Sequence, residues 1–444
     1  MKRWSLFLVL MLLLAACGGE AAEPVAEPAE SNDGGQTAVV EQQDNIPPTP
    51  LPTVTPVPPP VITEEEALAV VEDGGEEEAA PAAPAPVIPW PADQFGYGIQ
   101  IHGNATVGDP IPVMDSVKNQ LGLQWVKIQI QWFLVRPDAE TEQWFFYDGV
   151  IDEANNAGLN VMLSVVSAPP YLRSAGNHIG PPDDYQQMAI FLDELITRYD
   201  GKIAAIEVWN EQNLDREWQT ANGVSPEDYV RFLEIANNAI KAADPNIIVI
   251  TGAMAPTGGG DGIAWLDDFA WLDRALAAGM LDHADCLGAH HNGYNIPPDV
   301  AFDQTGGLAE AGTAVFRGPF DNPHHSWSFF TTLDTYADKI QAIDPNMKIC
   351  VTEFGWASSE GYDEWPQGFE FARDNTLDEQ AAFLVQAYNQ MRDSGDVWLT
   401  FAFNYDFGNK GSGPTDDPVP YSIVDLNGVP RPAFGAIASM EKRP

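Results

Sequence analysis

Residues 203–252 read IAAIEVWNEQNLDREWQTANGVSPEDYVRFLEIANNAIKAADPNIIVITG, and the order of features in this stretch decides the fold. Ile203 to Trp209 is a short, largely apolar run, the composition of a buried strand. Ser225-Pro226-Glu227-Asp228 then opens a helix. The serine accepts from free N–H groups, the proline suits the first turn, and the two acids sit at the positive end of the helix dipole. Asp244-Pro245 closes the helix, because proline lacks the N–H that another turn needs. Ile247 to Gly252 is a second strand, and a strand, a helix and a strand in this order make a parallel βαβ unit.

Outward from this unit the same alternation recurs. Further strands are predicted over Gly96 to Ile101, Trp125 to Trp132, Asn160 to Ser167, Ala284 to His290, Lys348 to Thr352 and Val397 to Phe403. Helical periodicity marks Asp183 to Tyr199 and Thr376 to Met391. Eight strand–helix units predict an α/β chain closed into a (β/α)8 TIM barrel over residues 90–444. The competing architecture is an open doubly wound sheet, but no glycine-rich phosphate loop follows the first strand.

The N-terminal part has a different texture. Lys2 and Arg3 precede an apolar run, Leu6 to Leu14, too short to span a bilayer, and Leu-Ala-Ala-Cys ends it at Cys17. Residues 1–17 therefore read as a signal peptide. Residues 18–89 hold 15 acidic residues and no basic ones, lack aromatics, and include PPTPLPTVTPVPPPV at 47–61. Such a composition predicts a disordered, partly polyproline tether. The whole chain of 444 residues carries 65 acidic against 21 basic residues, a net charge of −44, which argues against a nucleic-acid partner.

In a (β/α)8 barrel, functional groups gather at the C-terminal ends of the strands. The fourth strand closes Ile206-Glu207-Val208-Trp209-Asn210-Glu211-Gln212-Asn213, and the seventh closes Ile349-Cys350-Val351-Thr352-Glu353-Phe354-Gly355-Trp356. Two carboxyl groups facing one cleft suit glycosidic bond cleavage, where one protonates the leaving oxygen and the other meets an oxocarbenium-like centre. If side chains alternate, Glu207 and Trp209 share the inward face of Glu211. On the second strand Lys127, Gln129 and Gln131 share a polar face. Lys127 is expected to pair with buried Glu207, since an unpaired buried charge costs several kcal/mol.

The motifs Val-Trp-Asn-Glu-Gln-Asn and Val-Thr-Glu-Phe-Gly-Trp, 142 residues apart between Glu211 and Glu353, resemble those of glycoside hydrolase clan A, with families five and thirty-nine nearest in feel. The resemblance covers about Trp90 to the C-terminus. It implies Glu211 as acid/base, Glu353 as nucleophile, double displacement with net retention, and Asn210 as a contact to the sugar 2-hydroxyl. Glu211 should then have a raised pKa. It also implies a histidine and a tyrosine on strand six. There the spacing departs from the clan pattern, leaving His290 or His291 open and making Tyr294 the counterpart that touches the nucleophile. Strand eight ends Phe401-Ala402-Phe403-Asn404-Tyr405-Asp406 in place of the clan's tryptophan, so Tyr405 or Trp356 is expected to supply the sugar platform. His102, Gln131 and Trp132, at the ends of strands one and two, are further candidates to reach the sugar. The insertions Asn295 to Ser328 and Ala357 to Asn375 are expected to wall the cleft.

The end of Leu-Ala-Ala-Cys resembles a bacterial lipobox, which implies acylation of Cys17, export, and anchoring of a monomeric enzyme to the cell membrane through lipid alone. No cofactor is implied, because a carboxyl pair performs both displacements, and the histidines show no metal-ligand spacing. Cys286 and Cys350 are expected as free, buried thiols. The chain stops soon after Phe434, so no C-terminal carbohydrate-binding module is expected. The alternative function is a carbohydrate-binding surface lipoprotein without catalysis; a metal-dependent hydrolase is weaker still.

Overall fold

A computed structural model describes residues 90–305 and 324–443. The signal segment ending at Cys17 and the tether over 18–89 lie outside the described residues, as does part of the insertion after Asn295. The strands are β1 (Gly96–Gln100), β2 (Trp125–Gln131), β3 (Asn160–Val166), β4 (Ala205–Val208), β5 (Ile248–Thr251), β6 (Leu287–Gly293), β7 (Ile349–Trp356) and β8 (Val397–Ala402). All named pairings are parallel, in the order β5-β4-β3-β2-β1-β8-β7-β6. Parallel bridges from Ile250 to Cys286 and from Met254 to Ala289 bring β5 against β6 and close the barrel. This closure requires Gly288, since a Cβ there would collide with the Thr251 carbonyl oxygen.

A helix follows each strand: α1 (Pro110–Asp115), α2 (Asp148–Asn156), α3 (Gln186–Arg198), α4 (Pro226–Ala243), α5 (Asp268–Ala277), α6 (Phe329–Gln341), α7 (Leu377–Ser394) and α8 (Pro432–Ser439). Ser225 caps α4 by accepting from the Asp228 N–H, and Thr376 with Glu379 forms a capping box on α7. None of the described helices is long and apolar enough to cross a membrane.

Parity divides the apolar residues into two layers. On β2, Val126, Ile128 and Ile130 face the helices and join the main core. Trp125, Met162, Ile250, Leu399 and Phe401 fill the barrel floor. Cys286 and Cys350 lie in that floor and are joined by a disulfide, with Cα atoms 5.9 Å apart. This corrects the expectation of free thiols. Cys286 just before β6 and Cys350 on β7 both join the floor cluster, a relation that neither apolar run reveals by itself.

Candidate active site

Above the floor, the inward positions change from apolar to charged. Lys127 on β2 is fully buried, with Nζ 3.2 Å from Glu207 Oε2, the pairing that parity predicts. The same Nζ lies 3.0 Å from Glu353 Oε1, a contact the sequence did not suggest. Burial alone would lower the lysine pKa, but Glu207 and Glu353 raise it above the ordinary value, so the ammonium stays charged. Glu353 reaches this position through an irregularity in β7. The register shifts between Val351 and Phe354, so that Thr352 Oγ donates to Glu207 Oε1 at 2.6 Å while the next residue also faces inward. A bulge that re-aims a side chain in this way is common beside active sites.

Glu211 is placed by the turn after β4. Its N–H donates to the Ala253 carbonyl at 2.8 Å, while Gln212 and Asn213 donate to the carbonyls of Gly252 (2.7 Å) and Ala255 (2.8 Å). The motif residues after Glu211 thus hold the turn against the loop that follows β5. The turn is strained, with positive φ at Trp209 (80°) and Glu211 (41°). Alternation accordingly ends at Val208. Trp209 turns outward onto Trp218 and Phe232 of α4, correcting the expectation that it shares the face of Glu207.

His290 unites the carboxylates. Its Nδ1 lies 3.2 Å from Glu211 Oε1 and 3.9 Å from Glu353 Oε2, and its Nε2 lies 3.8 Å from Glu207 Oε1. Since one nitrogen serves both legs, those Glu211 and Glu353 oxygens are no more than 7.1 Å apart. That bound admits the separation of about 5–5.5 Å for retaining pairs. The choice between the two histidines is also settled in space: His291 faces outward onto Phe329, and burial pushes its pKa down to about 3.

Several contacts were not foreseen. Arg216 Nη2 donates to Glu211 Oε2 at 2.8 Å. Burial raises the Glu211 pKa, but His290 and Arg216 outweigh it and hold the carboxyl below its ordinary value, which corrects the expectation of a raised one. Asn292 Nδ2 donates to Glu353 Oε2 at 3.3 Å and occupies the place expected of Tyr294. Tyr294 instead lines the cavity with Glu211, Arg216, His290, Asn292 and Ser326, its ring against Phe371. Glu217 is half-buried nearby. Burial, followed by Glu211 and Glu353, pushes its carboxyl up to about 8 against the pull of Arg216. Buried Tyr421, from the loop after β8, faces the same charges, and its hydroxyl has no partner among the described residues. Asn210 is fully buried, and neither polar atom of its side chain has a partner among the described residues.

Other candidates lie elsewhere. Trp356 is fully buried, donates to the Ile296 carbonyl and packs on Phe329 and Phe383, so it is no platform. Trp132 stacks on Phe191 of α3 at 4.7 Å. Tyr405 packs near Phe434 and bonds Ser116. His102 lies edge-on to Phe407, and its N–H donates to Asp406. Gln131 closes β2, where its N–H donates to Tyr147 Oη at 2.8 Å. Of these strand-end residues, Trp132 and Trp356 pack against helix side chains, Phe191 of α3 and Phe383 of α7.

No family model matches the chain. A curated β-xylosidase of Geobacillus stearothermophilus is 32% identical over 99 residues, 21% of this chain and 18% of that protein. Among solved structures, a family 39 glycoside hydrolase from Bacteroides cellulosilyticus is 18% identical with a TM-score of 0.57, over 79% of this chain and 64% of that one. A monomeric β-xylosidase from Caulobacter crescentus is 17% identical with a TM-score of 0.50, over 80% and 69%. A GH5_18 structure from Streptomyces cattleya in complex with GlcNAc is 15% identical with a TM-score of 0.55, over 80% of each chain. This chain thus spans less than two thirds of the curated relative and of the family 39 structure. The fold is the (β/α)8 barrel found in clan A glycoside hydrolases of families 39 and 5.

Proposed function

We propose that the chain is a retaining glycoside hydrolase of β-linked sugars, with Glu353 as nucleophile and Glu211 as acid/base. The observation that carries this reading is the convergence of the two carboxylates on one His290 nitrogen, within a bound that fits double displacement. Glu353 is held by Lys127 Nζ on one carboxyl oxygen and by Asn292 Nδ2 on the other. It attacks the anomeric carbon as Glu211 gives its proton to the leaving oxygen, forming a glycosyl ester. Glu211, now ionised and held by His290 and Arg216, takes a proton from water as that water opens the ester.

The lowered Glu211 pKa confines its acid form to low pH, so the activity optimum is expected on the acid side. Asn210, with its unpartnered amide, holds a sugar hydroxyl beside the reacting carbon. Tyr294, which lines the cavity with Glu211 and His290, offers its ring to the sugar in place of a strand-eight tryptophan. Aryl β-xylosides are the first substrates to try, because the curated relative and the Caulobacter structure are named β-xylosidases.

The chain acts outside the cytoplasm, tethered by a lipid on Cys17, and the disulfide in the barrel floor suits an oxidising compartment. Cys17→Ala should release the protein from membranes. The decisive assay uses purified protein, a panel of aryl β-glycosides and Glu353→Ala. Turnover lost in the variant and partly restored by azide, with an inverted glycosyl azide, is the expected outcome. Wild-type binding of glycans without turnover would favour the receptor reading.

A further inference from the structure

A second side-chain cluster stands in the wall of the cleft, apart from the carboxylate pair. Asp267 caps α5 through Oδ1, which accepts from the Ala270 N–H at 3.1 Å. Its other oxygen, Oδ2, faces two histidines: His325 Nε2 at 3.0 Å and His324 Nε2 at 3.9 Å. One ligand atom from each of these three residues falls within 4.8 Å of the others, the spread that three donors around one ion require.

The rings are oriented from their far sides. His324 Nδ1 pairs with Ser326 Oγ at 3.0 Å, and His325 stacks on Phe269 with ring centroids 3.7 Å apart. Outer contacts of this kind fix imidazole ligands in metal centres. Buried Asp268 adds a carboxylate whose Oδ1 lies 3.6 Å from His325 Nε2, while its Oδ2 accepts from the Tyr336 hydroxyl at 2.6 Å. Among the described residues no lysine or arginine forms an ion pair with Asp267 or Asp268.

We propose that Asp267, His324 and His325 bind one borderline divalent ion of the zinc type. Two imidazoles and one carboxylate favour zinc, cobalt or nickel over magnesium or calcium. The ion clips the turn His325–Trp327 to the N-terminal end of α5. Ser326 in that turn lines the cavity that holds Glu211, so the ion shapes the cleft wall and takes no part in the carboxyl chemistry.

The test uses untagged full-length protein stripped with EDTA, titrated calorimetrically with Zn2+ and, separately, with Co2+ under visible absorption. The expected result is one Zn2+ per chain, a thermal midpoint raised by several degrees, and cobalt ligand-field bands of a four-coordinate site. His324→Ala alters a partly exposed residue, and Asp267→Asn keeps the capping oxygen. Each should weaken Zn2+ more than about tenfold and abolish the thermal shift. Absence of one-to-one binding, or equal affinity in both variants, overturns the proposal. Because the readouts are binding and stability, their outcome does not depend on whether Glu211 and Glu353 hydrolyse a glycoside.

Discussion

Lys127→Met isolates the charge that organises the carboxylates. Nζ contacts Glu353 and Glu207 at 3.0 and 3.2 Å, with all three side chains fully buried. At an effective dielectric of ~20 each contact carries about 5 kcal/mol of gross attraction. Desolvation of three charges offsets most of that sum, so the gross figure does not transfer to stability. What matters is the state that deletion leaves: two buried carboxylates with no ammonium between them. Removing one partner of a buried pair costs about 3–5 kcal/mol. Glu353 also loses the cation that holds its Oε1 in place for attack.

Methionine replaces the stem of lysine in volume, which keeps a cavity out of the comparison. Urea unfolding and kcat/KM on an aryl β-glycoside read the two effects. The unfolding free energy should fall by about 3–5 kcal/mol, and kcat/KM should fall with it. Wild-type stability together with wild-type kcat/KM would show that Lys127 does not organise the carboxylates.

Three further outcomes are expected. Arg216→Met removes a cation that lowers the Glu211 pKa, so the basic limb of kcat/KM should move to higher pH; a shift to lower pH would count against this role. Asn210→Ala should reduce kcat/KM by about 10²–10³ while denaturant unfolding changes by about 1 kcal/mol or less, because the amide has no partner to lose among the described residues. Cys286→Ala with Cys350→Ala opens a loop spanning 64 residues and should lower the unfolding free energy by about 4 kcal/mol, against near equality if the bond contributes nothing.

The legible features were those that rest on a local rule. Period-two alternation on β2 placed Lys127 inside and led to Glu207, because both residues lie within regular strand. The helix cap at Ser225 could be read for the same reason. Legibility failed where the chain leaves regular geometry. Positive φ at Trp209 reversed the face of that residue, and the bulge in β7 put Thr352 and Glu353 on one side. It failed also where partners are distant in sequence, as with Cys286 and Cys350 or Asp267 and His325. Arg216 and Tyr421 carry no local pattern, and only the turn of the chain brings them to the carboxylates. A signal for Arg216 was nonetheless present, since a cation five residues beyond Glu211 in the same loop has a short path back to it.

The covalent step can be observed by itself. Incubation with a 2-deoxy-2-fluoro β-glycoside carrying a dinitrophenyl leaving group slows release of the ester, and intact mass followed by peptide mapping locates the adduct. One sugar per chain, on the peptide containing Glu353 and absent from Glu353→Gln, is the predicted result. A substrate-competent enzyme that acquires no adduct, or that carries it on Glu211, would contradict double displacement through this pair.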